Sequence, residues 1–324
     1  MANQKEKILK LLQTGQTMDD FIVACNLYIK QLNQIEKKNR VLLEKRNVLY
    51  LFHTIEKQYV SFEIPKKSGG QRQILAPKRQ MKYLQRNIAD LLALFYQPNL
   101  FCHGFVKGRS IVSNAEFHTN KNYVLNVDIE NFFPSIGYNK INNALNSSPF
   151  HFSEKIAKII LRIATYEGSL PQGSPISPIL SNICCNQLDI DLSEFARKYK
   201  LSYSRYADDI SFSGYRMIFD KIFFKELNSI IRKKNKLKLN KSKTRIQSKN
   251  KRQEVTGVVV NDKLNINREY VRNLRSLIHH MKLGKAPKNA QSVIIGKLEF
   301  LKMIKGKDRV YKNLYSQFNS IKNE

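Results

Sequence analysis

The chain has 324 residues, 42% of them hydrophobic, and its 56 Lys and Arg residues against 26 Asp and Glu residues give a formal net charge of +30. The hydrophobic content supports a sizeable core and excludes a disordered tail. The charge requires a polyanionic partner, of which nucleic acid is the obvious example, unless the whole proteome is Lys-rich. The distribution of the charge along the chain favours a polyanionic partner, since eleven basic residues and no acidic one lie between Glu226 and Glu254.

The cysteines and the hydrophobic segments limit the location of the protein. Four cysteines are too few and too unevenly spaced for a disulfide framework or a CxxC zinc site. The N-terminal segment MANQKEKILKLLQTG lacks the apolar core of a signal peptide, and no stretch is long and apolar enough to cross a bilayer. We therefore expect reduced thiols, no membrane contact and a cytoplasmic location.

The first part of the chain changes from helices to strands and back. Residues 1–58 show helical periodicity, with Thr17 and Asp20 placed like a capping box. From Tyr59 the alternating segments YVSFEIP and QRQILAP predict two short strands, which a basic, Gly-rich turn joins. Helical periodicity returns over Met81–Tyr96.

The middle of the chain carries acidic residues at the ends of predicted strands. The segment YVLNVD predicts a buried strand whose last residue is Asp128. A helical segment near residues 138–166 leads to LPQGSPISP, whose prolines and glycine exclude a regular helix or strand until Leu180. After a further helix, LSYSRYADDISFSG predicts a hairpin with Asp208 and Asp209 at its tip.

The C-terminal part is basic and ends in helical patterns. The basic run over residues 232–252 could pass for a tail, but the strand-like segment EVTGVVVND follows it, so we expect a folded element. Apolar residues at helical spacing within Leu274–Met281 and Leu298–Ile304 predict two helices whose apolar stripes are core.

The three aspartates point to phosphoryl-transfer chemistry. Asp128 and Asp208 lie 80 residues apart, but each sits where a predicted strand meets a turn, so neighbouring strands would bring these carboxylates and Asp209 together. Their repulsion would force protonation unless a divalent cation neutralised it, and ligation by oxygen favours magnesium. Two such ions can activate a 3′-hydroxyl and stabilise leaving pyrophosphate. Ordinary turn chemistry is the alternative for an Asp pair at a hairpin tip.

The motifs VDIENFFPSI, LPQGSPISP, RYADDISFSG and KSKTRI follow one another in this order. They resemble the palm motifs of reverse transcriptases, and the resemblance spans residues 59–260. It implies an α+β right hand with fingers, a palm of antiparallel sheet backed by helices, and a small helical thumb. The implied division is a helical lead-in at 1–58, fingers and palm at 59–250, and a thumb with an RNA-recognition region at 251–324.

By this resemblance the aspartates hold the metal of a polymerase. Asp128 and Asp208 are the principal ligands, Asp209 completes the acidic cluster, and the backbone carbonyl of Ile129 is a further ligand. The implied cofactor is a pair of Mg²⁺ ions, with Mn²⁺ as a substitute. The sequence leaves the ranking of Asp208 against Asp209 open.

The resemblance also implies contacts to the sugar and base of an incoming deoxynucleoside triphosphate (dNTP). Phe133 corresponds to the aromatic residue beneath the sugar, where a 2′-hydroxyl would collide with the ring, so that the product is DNA. The alternative is that Phe132 and Phe133 are both core residues. Gln172 of LPQG corresponds to a residue that lines the nucleotide pocket.

Basic residues would hold the triphosphate. Arg72, with Lys66 or Lys67, corresponds to the fingers residues in this role, for which the planar guanidinium is well suited. The alternative for Arg72 is an exposed strand charge. Lys243 corresponds to the palm lysine that approaches the triphosphate, although Lys238 and Lys241 are close enough in sequence to replace it.

Two further segments resemble the paired motifs of retron reverse transcriptases, NAxxH and VTG. They are NAEFH and VTG, and the residues with implied RNA contacts are Asn114, His118, Val255, Thr256 and Gly257. In a helix, Asn114 and His118 would share one face. RNA contact and structural support both stay open as their role.

Membership of the retron group would imply particular partners in a bacterial cell. The enzyme would bind a structured non-coding RNA, prime from the 2′-hydroxyl of a guanosine and use dNTPs to make a branched RNA–DNA product (msDNA). A separately encoded effector protein would join it in defence against phage. After VTG 67 residues remain, too few for a ribonuclease H domain, so a host ribonuclease H would remove the template.

Two other interpretations remain. A group II intron-like reverse transcriptase shares the palm motifs but usually has a longer N-terminal region and a maturase segment after the thumb. A non-catalytic RNA-binding scaffold would keep the fold without polymerisation. The presence of Asp128, Asp208, Asp209, Gln172 and Phe133 argues against a scaffold.

Overall fold

The computed structural model describes residues 2–37, 39–65 and 69–322. They form two compact units, each discontinuous in sequence. The first unit contains the residues up to Asn99 and Glu130–Ile190, and the second contains Leu100–Ile129 and the residues from Asp191 onward. The domain boundaries predicted after residues 58 and 250 divide the chain by its sequence motifs rather than by compactness, and they stay a prediction. None of the helices in the described ranges combines the length and apolar character that a membrane span requires.

The helices and strands of the described residues are numbered in chain order. The helices are α1 (Ala2–Thr14), α2 (Met18–Glu36), α3 (Lys45–His53), α4 (Arg79–Phe95), α5 (Ile111–Glu116), α6 (Tyr138–Asn146), α7 (Glu154–Ala164), α8 (Ser177–Cys184), α9 (Asn186–Lys198), α10 (Lys221–Asn228), α11 (Arg268–Lys282), α12 (Ala290–Lys305) and α13 (Arg309–Lys322). The strands are β1 (Tyr59–Pro65), β2 (Gln71–Pro77), β3 (Tyr123–Asp128), β4 (Ser202–Tyr206), β5 (Asp209–Gly214), β6 (Arg245–Ser248), β7 (Glu254–Val255) and β8 (Val258–Val259).

The first unit is a helical cluster with one β-hairpin. The capping box of Thr17 and Asp20 is present at the start of α2, as predicted. Helices α2, α4 and α7 pack on one another and bury Phe21, Ile88 and Ile160, each of which contributes about 1.5–3 kcal/mol. Strands β1 and β2 pair antiparallel, which confirms the predicted hairpin, and most of its surface is exposed.

Two predictions in this unit need correction. The helical segment near 138–166 is two helices, because the chain turns between the end of α6 and Ser153, which caps α7 through its hydroxyl. The segment LPQGSPISP becomes helical at Ser177 rather than at Leu180. Pro178 stands in the first turn of α8, where the missing N–H of proline has no intrahelical partner to lose.

The second unit contains a four-stranded sheet with the order β4-β5-β3-β6, in which all neighbours are antiparallel. Phe212 of β5 packs against Phe195 of α9 and Phe223 of α10, so helices cover one face of the sheet. The predicted α+β architecture, an antiparallel sheet backed by helices, is therefore confirmed. The basic run of residues 232–252 contains strand β6, which forms an edge of this sheet, so the run includes a folded element, as expected.

The C-terminal helices α11, α12 and α13 share a core with the small β7–β8 hairpin. The residues of this core include Leu274, Ile278, Leu298 and Leu301, which the helical spacing of apolar residues predicted to be buried. Helix α13 was not predicted from the sequence, and its Leu314 and other apolar residues also belong to this core.

Candidate active site

The β4–β5 hairpin places two aspartates where the sequence predicted them. Tyr206 pairs with Asp209, so Ala207 and Asp208 form the turn and Asp209 is the first residue of β5. Ala207 has φ +57°, a left-handed conformation that costs a residue with a Cβ about 1–2 kcal/mol. The surrounding structure has to hold this turn in place.

Asp128 lies beside this turn. It is the last residue of β3 and pairs directly with Asp209 across the β3–β5 ladder. The backbone N–H of Ile129 donates to the carbonyl of Asp208 over 3.0 Å, and the N–H of Asn240 donates to the carbonyl of Asp128 over 2.8 Å. The ends of two neighbouring strands therefore bring the three aspartates to adjacent backbone positions, whereas their sharing of one cation stays a prediction.

The charges in this cluster influence one another. Asp128 is buried, whereas Asp209 keeps access to solvent at the strand tip. The pKa of the Asp209 carboxyl is raised to about 6, because neighbouring atoms displace part of its hydration shell and because Asp208 and Asp128 repel its negative charge. Lys243 opposes this repulsion, and its Nζ lies 2.7 Å from Oδ2 of Asp128.

The donor set fits a hard divalent cation. Carboxylates that raise a neighbour's pKa are stabilised by a cation, and oxygen ligands are those that magnesium prefers. Across the described ranges, no group of three or more His, Cys, Asp or Glu side chains is arranged to hold a metal ion, so the metal site at the aspartates stays a prediction. The Lys243 ammonium donates to Oδ2 of Asp128. The carbonyl of Ile129, next in the chain, stays a predicted ligand.

The LPQG segment and the strand that carries Arg72 are joined within the first unit. The N–H of Leu75 donates to the carbonyl of Gln172 over 2.8 Å. Gly173 has φ +126°, and a Cβ there would lie 2.8 Å from the carbonyl oxygen of Leu75. The segment therefore requires glycine at this position. Arg72 itself is exposed on β2 opposite Ile64, while Lys66 and Lys67 lie outside the described residues.

Gln85, which was not predicted from the sequence as a site residue, supports the same segment. Its side chain is completely buried on α4. Its Oε1 accepts from the Ser174 hydroxyl over 2.7 Å, and its Nε2 donates to the Tyr59 hydroxyl and to the Ile163 carbonyl over 2.7 and 2.8 Å. The available signal was a polar residue on the buried side of an amphipathic helix.

The two phenylalanines after Asp128 have different environments. Phe132 is buried, and Phe133 is half-buried with its ring centroid 5.4 Å from that of Phe132. Phe132 is therefore the core aromatic of the pair, and the predicted sugar contact stays with Phe133.

The NAxxH and VTG motifs meet in the second unit. Asn114 in α5 donates from Nδ2 to the Thr256 hydroxyl over 3.4 Å, and that hydroxyl donates to the Ile111 carbonyl over 3.4 Å. Thr256 and Gly257 both have positive φ, so VTG forms the tight turn between β7 and β8.

His118 lies beyond the end of α5, so it does not share a helical face with Asn114. It is completely buried, and its Nδ1 and Nε2 lie 2.7 Å from the hydroxyl oxygens of Ser213 and Ser204. Burial lowers the pKa of the imidazole to about 3. The sequence left RNA contact and structural support open as roles of His118. The contacts with the two serines are those expected of structural support.

Comparison with known proteins gives consistent matches. The family profile "Reverse transcriptase (RNA-dependent DNA polymerase)" matches residues 64–260. The Retron Ec86 reverse transcriptase of Escherichia coli is 34% identical over 267 residues, which cover 80% of each chain. The Retron Mx65 reverse transcriptase of Myxococcus xanthus is 32% identical over 76% of this chain and 62% of that protein. A telomerase structure from Candida albicans aligns with a TM-score of 0.49 and 14% identity, covering 92% of this chain and 60% of that chain.

Proposed function

The chain belongs to the reverse transcriptase family as a retron-type RNA-directed DNA polymerase, and we propose that it copies a structured non-coding RNA into branched msDNA. The observation that carries its polymerase chemistry is the register of Asp128 opposite Asp209, with Asp208 in the adjoining turn. The contact between Asn114 and Thr256 supports the retron assignment, because it joins the two motifs that characterise that group.

Members of this family use divalent metal ions, and we propose two Mg²⁺ ions here, which Mn²⁺ could replace. Bound at this cluster, they would supply charge neutralisation for the primer hydroxyl and for the leaving pyrophosphate. Asp128 and Asp208 would hold them, with Asp209 and the Ile129 carbonyl as further ligands. A bound cation would lower the pKa of Asp209, which desolvation and the repulsion of Asp208 and Asp128 raise to about 6.

The remaining predicted contacts concern the dNTP. Phe133 would exclude a 2′-hydroxyl, and Gln172 would line the base and sugar site. Arg72 and Lys66 would contact the triphosphate. Lys243 would leave Asp128 and contact a phosphate oxygen of the triphosphate instead. Its side chain is 48% exposed, which allows it to turn from one partner to the other. The attachment of Gln172 to the strand of Arg72 supports a shared role for these two residues.

The proposed partners follow from the retron relatives. Asn114, Val255, Thr256 and Gly257 would contact the cognate RNA, and His118 would support the same region from inside the fold. A host ribonuclease H would remove the template. We further propose that an effector protein acts with the polymerase and its product in defence against phage.

Substitution of Asp208 by Asn tests the polymerase assignment. The chain and its flanking non-coding DNA are expressed together, and small nucleic acids are isolated and treated with ribonuclease and a debranching enzyme. The wild-type chain should yield a branched product, and Asp208→Asn should yield none. Loss of a residue that only hydrogen-bonds to a metal ligand typically lowers activity by about 10–100-fold, so loss of a ligand itself should have at least that effect. RNA binding should persist, because the change leaves the rest of the surface intact.

The control is Asp19→Asn, which removes an exposed carboxylate paired only at the surface with Lys45 and should leave the product unchanged. A linear product would favour a group II intron-like enzyme. Absence of DNA from the wild-type chain on every template would favour the RNA-binding scaffold. Equal loss of RNA binding and DNA synthesis in Asp208→Asn would contradict the metal assignment.

A further inference from the structure

Arg205 is completely buried in β4, two residues before Ala207 of the catalytic turn. Burial of a guanidinium is unfavourable by several kcal/mol unless its N–H groups are hydrogen-bonded. Shorter or apolar side chains would fill a strand position of this kind at lower free energy. The presence of arginine therefore requires an explanation from its contacts.

The guanidinium of Arg205 reaches the catalytic turn. Its Nη1 donates to the carbonyl oxygen of Ala207 over 3.1 Å, and its Nη2 contacts the Sγ of Cys102 at 3.2 Å. The backbone of Arg205 is fixed as well. Its N–H donates to the Phe101 carbonyl over 2.8 Å, and its carbonyl accepts from the N–H of His103 over 2.7 Å.

Gly104 confines the same turn by close backbone contact. A Cβ at Gly104 would lie only 2.4 Å from the backbone N of Ala207 and 3.0 Å from the carbonyl carbon of Tyr206. The Cys102 thiol lies 3.9 Å from the Gly104 carbonyl oxygen. Arg205, Cys102, Gly104 and Ala207 thus form a closed ring of contacts around the left-handed residue of the turn.

These contacts determine the backbone on both sides of Asp208. The Ala207 carbonyl belongs to the peptide unit that contains the nitrogen of Asp208, and Arg205 holds that carbonyl. The next peptide unit contains the Asp208 carbonyl, which accepts from Ile129. With both peptide planes fixed, the direction of the Cα–Cβ bond of Asp208 is fixed as well.

We propose that Arg205 is a positioning residue, which orients the Asp208 carboxylate for the divalent cation by holding the Ala207 carbonyl. This inference rests on the proposed function only in assigning the cation to the aspartate cluster. Residues that orient metal ligands through hydrogen bonds are typically worth about 10–100-fold in metal affinity or activity. Lysine cannot replace arginine here, because one ammonium cannot reproduce the planar fork of the guanidinium.

The test measures metal binding and DNA synthesis separately in the full chain. Mn²⁺ is titrated into the metal-free protein by calorimetry, and DNA synthesis on an oligo(dT)-primed poly(rA) template is measured against Mg²⁺ concentration. Arg205→Lys should bind Mn²⁺ about 10-fold more weakly or worse, and its Mg²⁺ midpoint should rise accordingly. Affinity for the primer–template, measured without metal, should not change.

Gly104→Ala is the second variant, because its methyl group displaces the same turn without removing a charge. It should weaken Mn²⁺ binding in the same direction, and it keeps the test decisive if Arg205→Lys does not fold. The matched control is Tyr203→Leu on the same strand, whose ring packs on Phe101 and Phe212. This control should lower stability and leave the Mn²⁺ affinity unchanged.

Wild-type Mn²⁺ affinity in folded Arg205→Lys or Gly104→Ala would overturn the inference, as would an equal loss in Tyr203→Leu. A wild-type protein that binds Mn²⁺ at the aspartates but synthesises no DNA would instead overturn the proposed function. The two failures are distinguishable, because calorimetry does not depend on polymerisation.

Discussion

At the scale of single residues, His118 shows how burial and charge are linked in this fold. Its imidazole contacts two serine hydroxyls and has no exposed surface. Its pKa is lowered from 6.5 to about 3 by burial. The unfolded chain takes up a proton below pH 6.5, whereas the folded chain does not until about pH 3. The contribution of His118 to stability is therefore lost as the pH falls.

We expect this contribution to decline by about 2 kcal/mol between pH 7.5 and 5. His118→Gln should remove that part of the pH dependence, because glutamine takes up no proton in this range. Urea unfolding of both proteins at the two pH values measures the difference. An identical pH dependence in wild type and variant would mean that the imidazole is not held in its neutral form.

The residues of the site differ in how far the sequence could predict them. Asp128, Asp208 and Asp209 were predictable, because each follows or precedes an alternating strand pattern. Arg205 was not, since a basic residue in an alternating strand normally lies on the exposed face. Its contact with Cys102, a residue 103 positions earlier in the chain, is a feature of the folded chain that a local pattern does not contain.

At the scale of elements, the LPQG segment depends on the strand beside it. Gly173→Ala should push the segment away from Leu75, because the new Cβ meets a backbone carbonyl and φ is positive. We expect the KM for dNTP to rise about 10-fold, which corresponds to about 1.4 kcal/mol of lost nucleotide binding, with a smaller change in kcat. Steady-state kinetics with one varied dNTP measures both constants.

The matched control is Gly296→Ala in α12, where a Cβ would meet no atom within 4 Å. It should raise stability by about 0.5–1 kcal/mol, since alanine favours a helix over glycine, and leave the KM unchanged. An unchanged KM in Gly173→Ala would show that the position of Gln172 does not affect nucleotide binding.

Elements with a strong local signal were predicted well. The capping box of α2 and the β1–β2 hairpin follow from short segments of sequence. The start of α8 was placed too late because prolines were taken to exclude a helix, although the first turn tolerates them. Helix α13 was missed because its stability comes from packing in the shared C-terminal core, which is not a local property.

At the scale of the whole molecule, eleven basic residues and no acidic one lie in the sequence between Glu226 and Glu254. Among them are the exposed residues Lys249, Lys251 and Arg252 of the loop after β6, where Asn261 donates to the carbonyls of Lys249 and Lys251 over 3.0 and 2.8 Å. A rigid loop loses little conformational entropy on binding. We infer that this loop contributes to RNA binding.

Replacement of these three residues by Gln should weaken RNA binding and flatten its dependence on salt. Each lost phosphate contact should reduce the slope of log K against log[salt] by about 0.7–0.9. A triple Gln variant of Lys5, Lys7 and Lys10, which are exposed on α1, removes the same charge elsewhere. Equal slopes for the two variants would mean that net charge, rather than this loop, governs binding.

The fold class was predictable from the order of the polymerase motifs, and nucleic acid as the partner from the net charge. The composition of the two units was not, because each combines segments that lie far apart in the chain. Local patterns contain no information about which distant segments share a core. The same limit applies to Asn114 and Thr256, 142 residues apart, whose contact only the folded chain contains.

The position of β3 between β5 and β6 also has a consequence for the order in which the sheet can form during synthesis of the chain. Asp128 leaves the ribosome 81 residues before Asp209, and the other neighbour of β3 ends only at Ser248. Helices form from local contacts as they emerge, but a central strand has to wait for both of its partners. A nascent chain that stops before Ser248 already contains all three aspartates and still lacks one edge of the sheet that aligns them. We therefore expect a chain that ends before β6 to synthesise no DNA, although it contains all three aspartates.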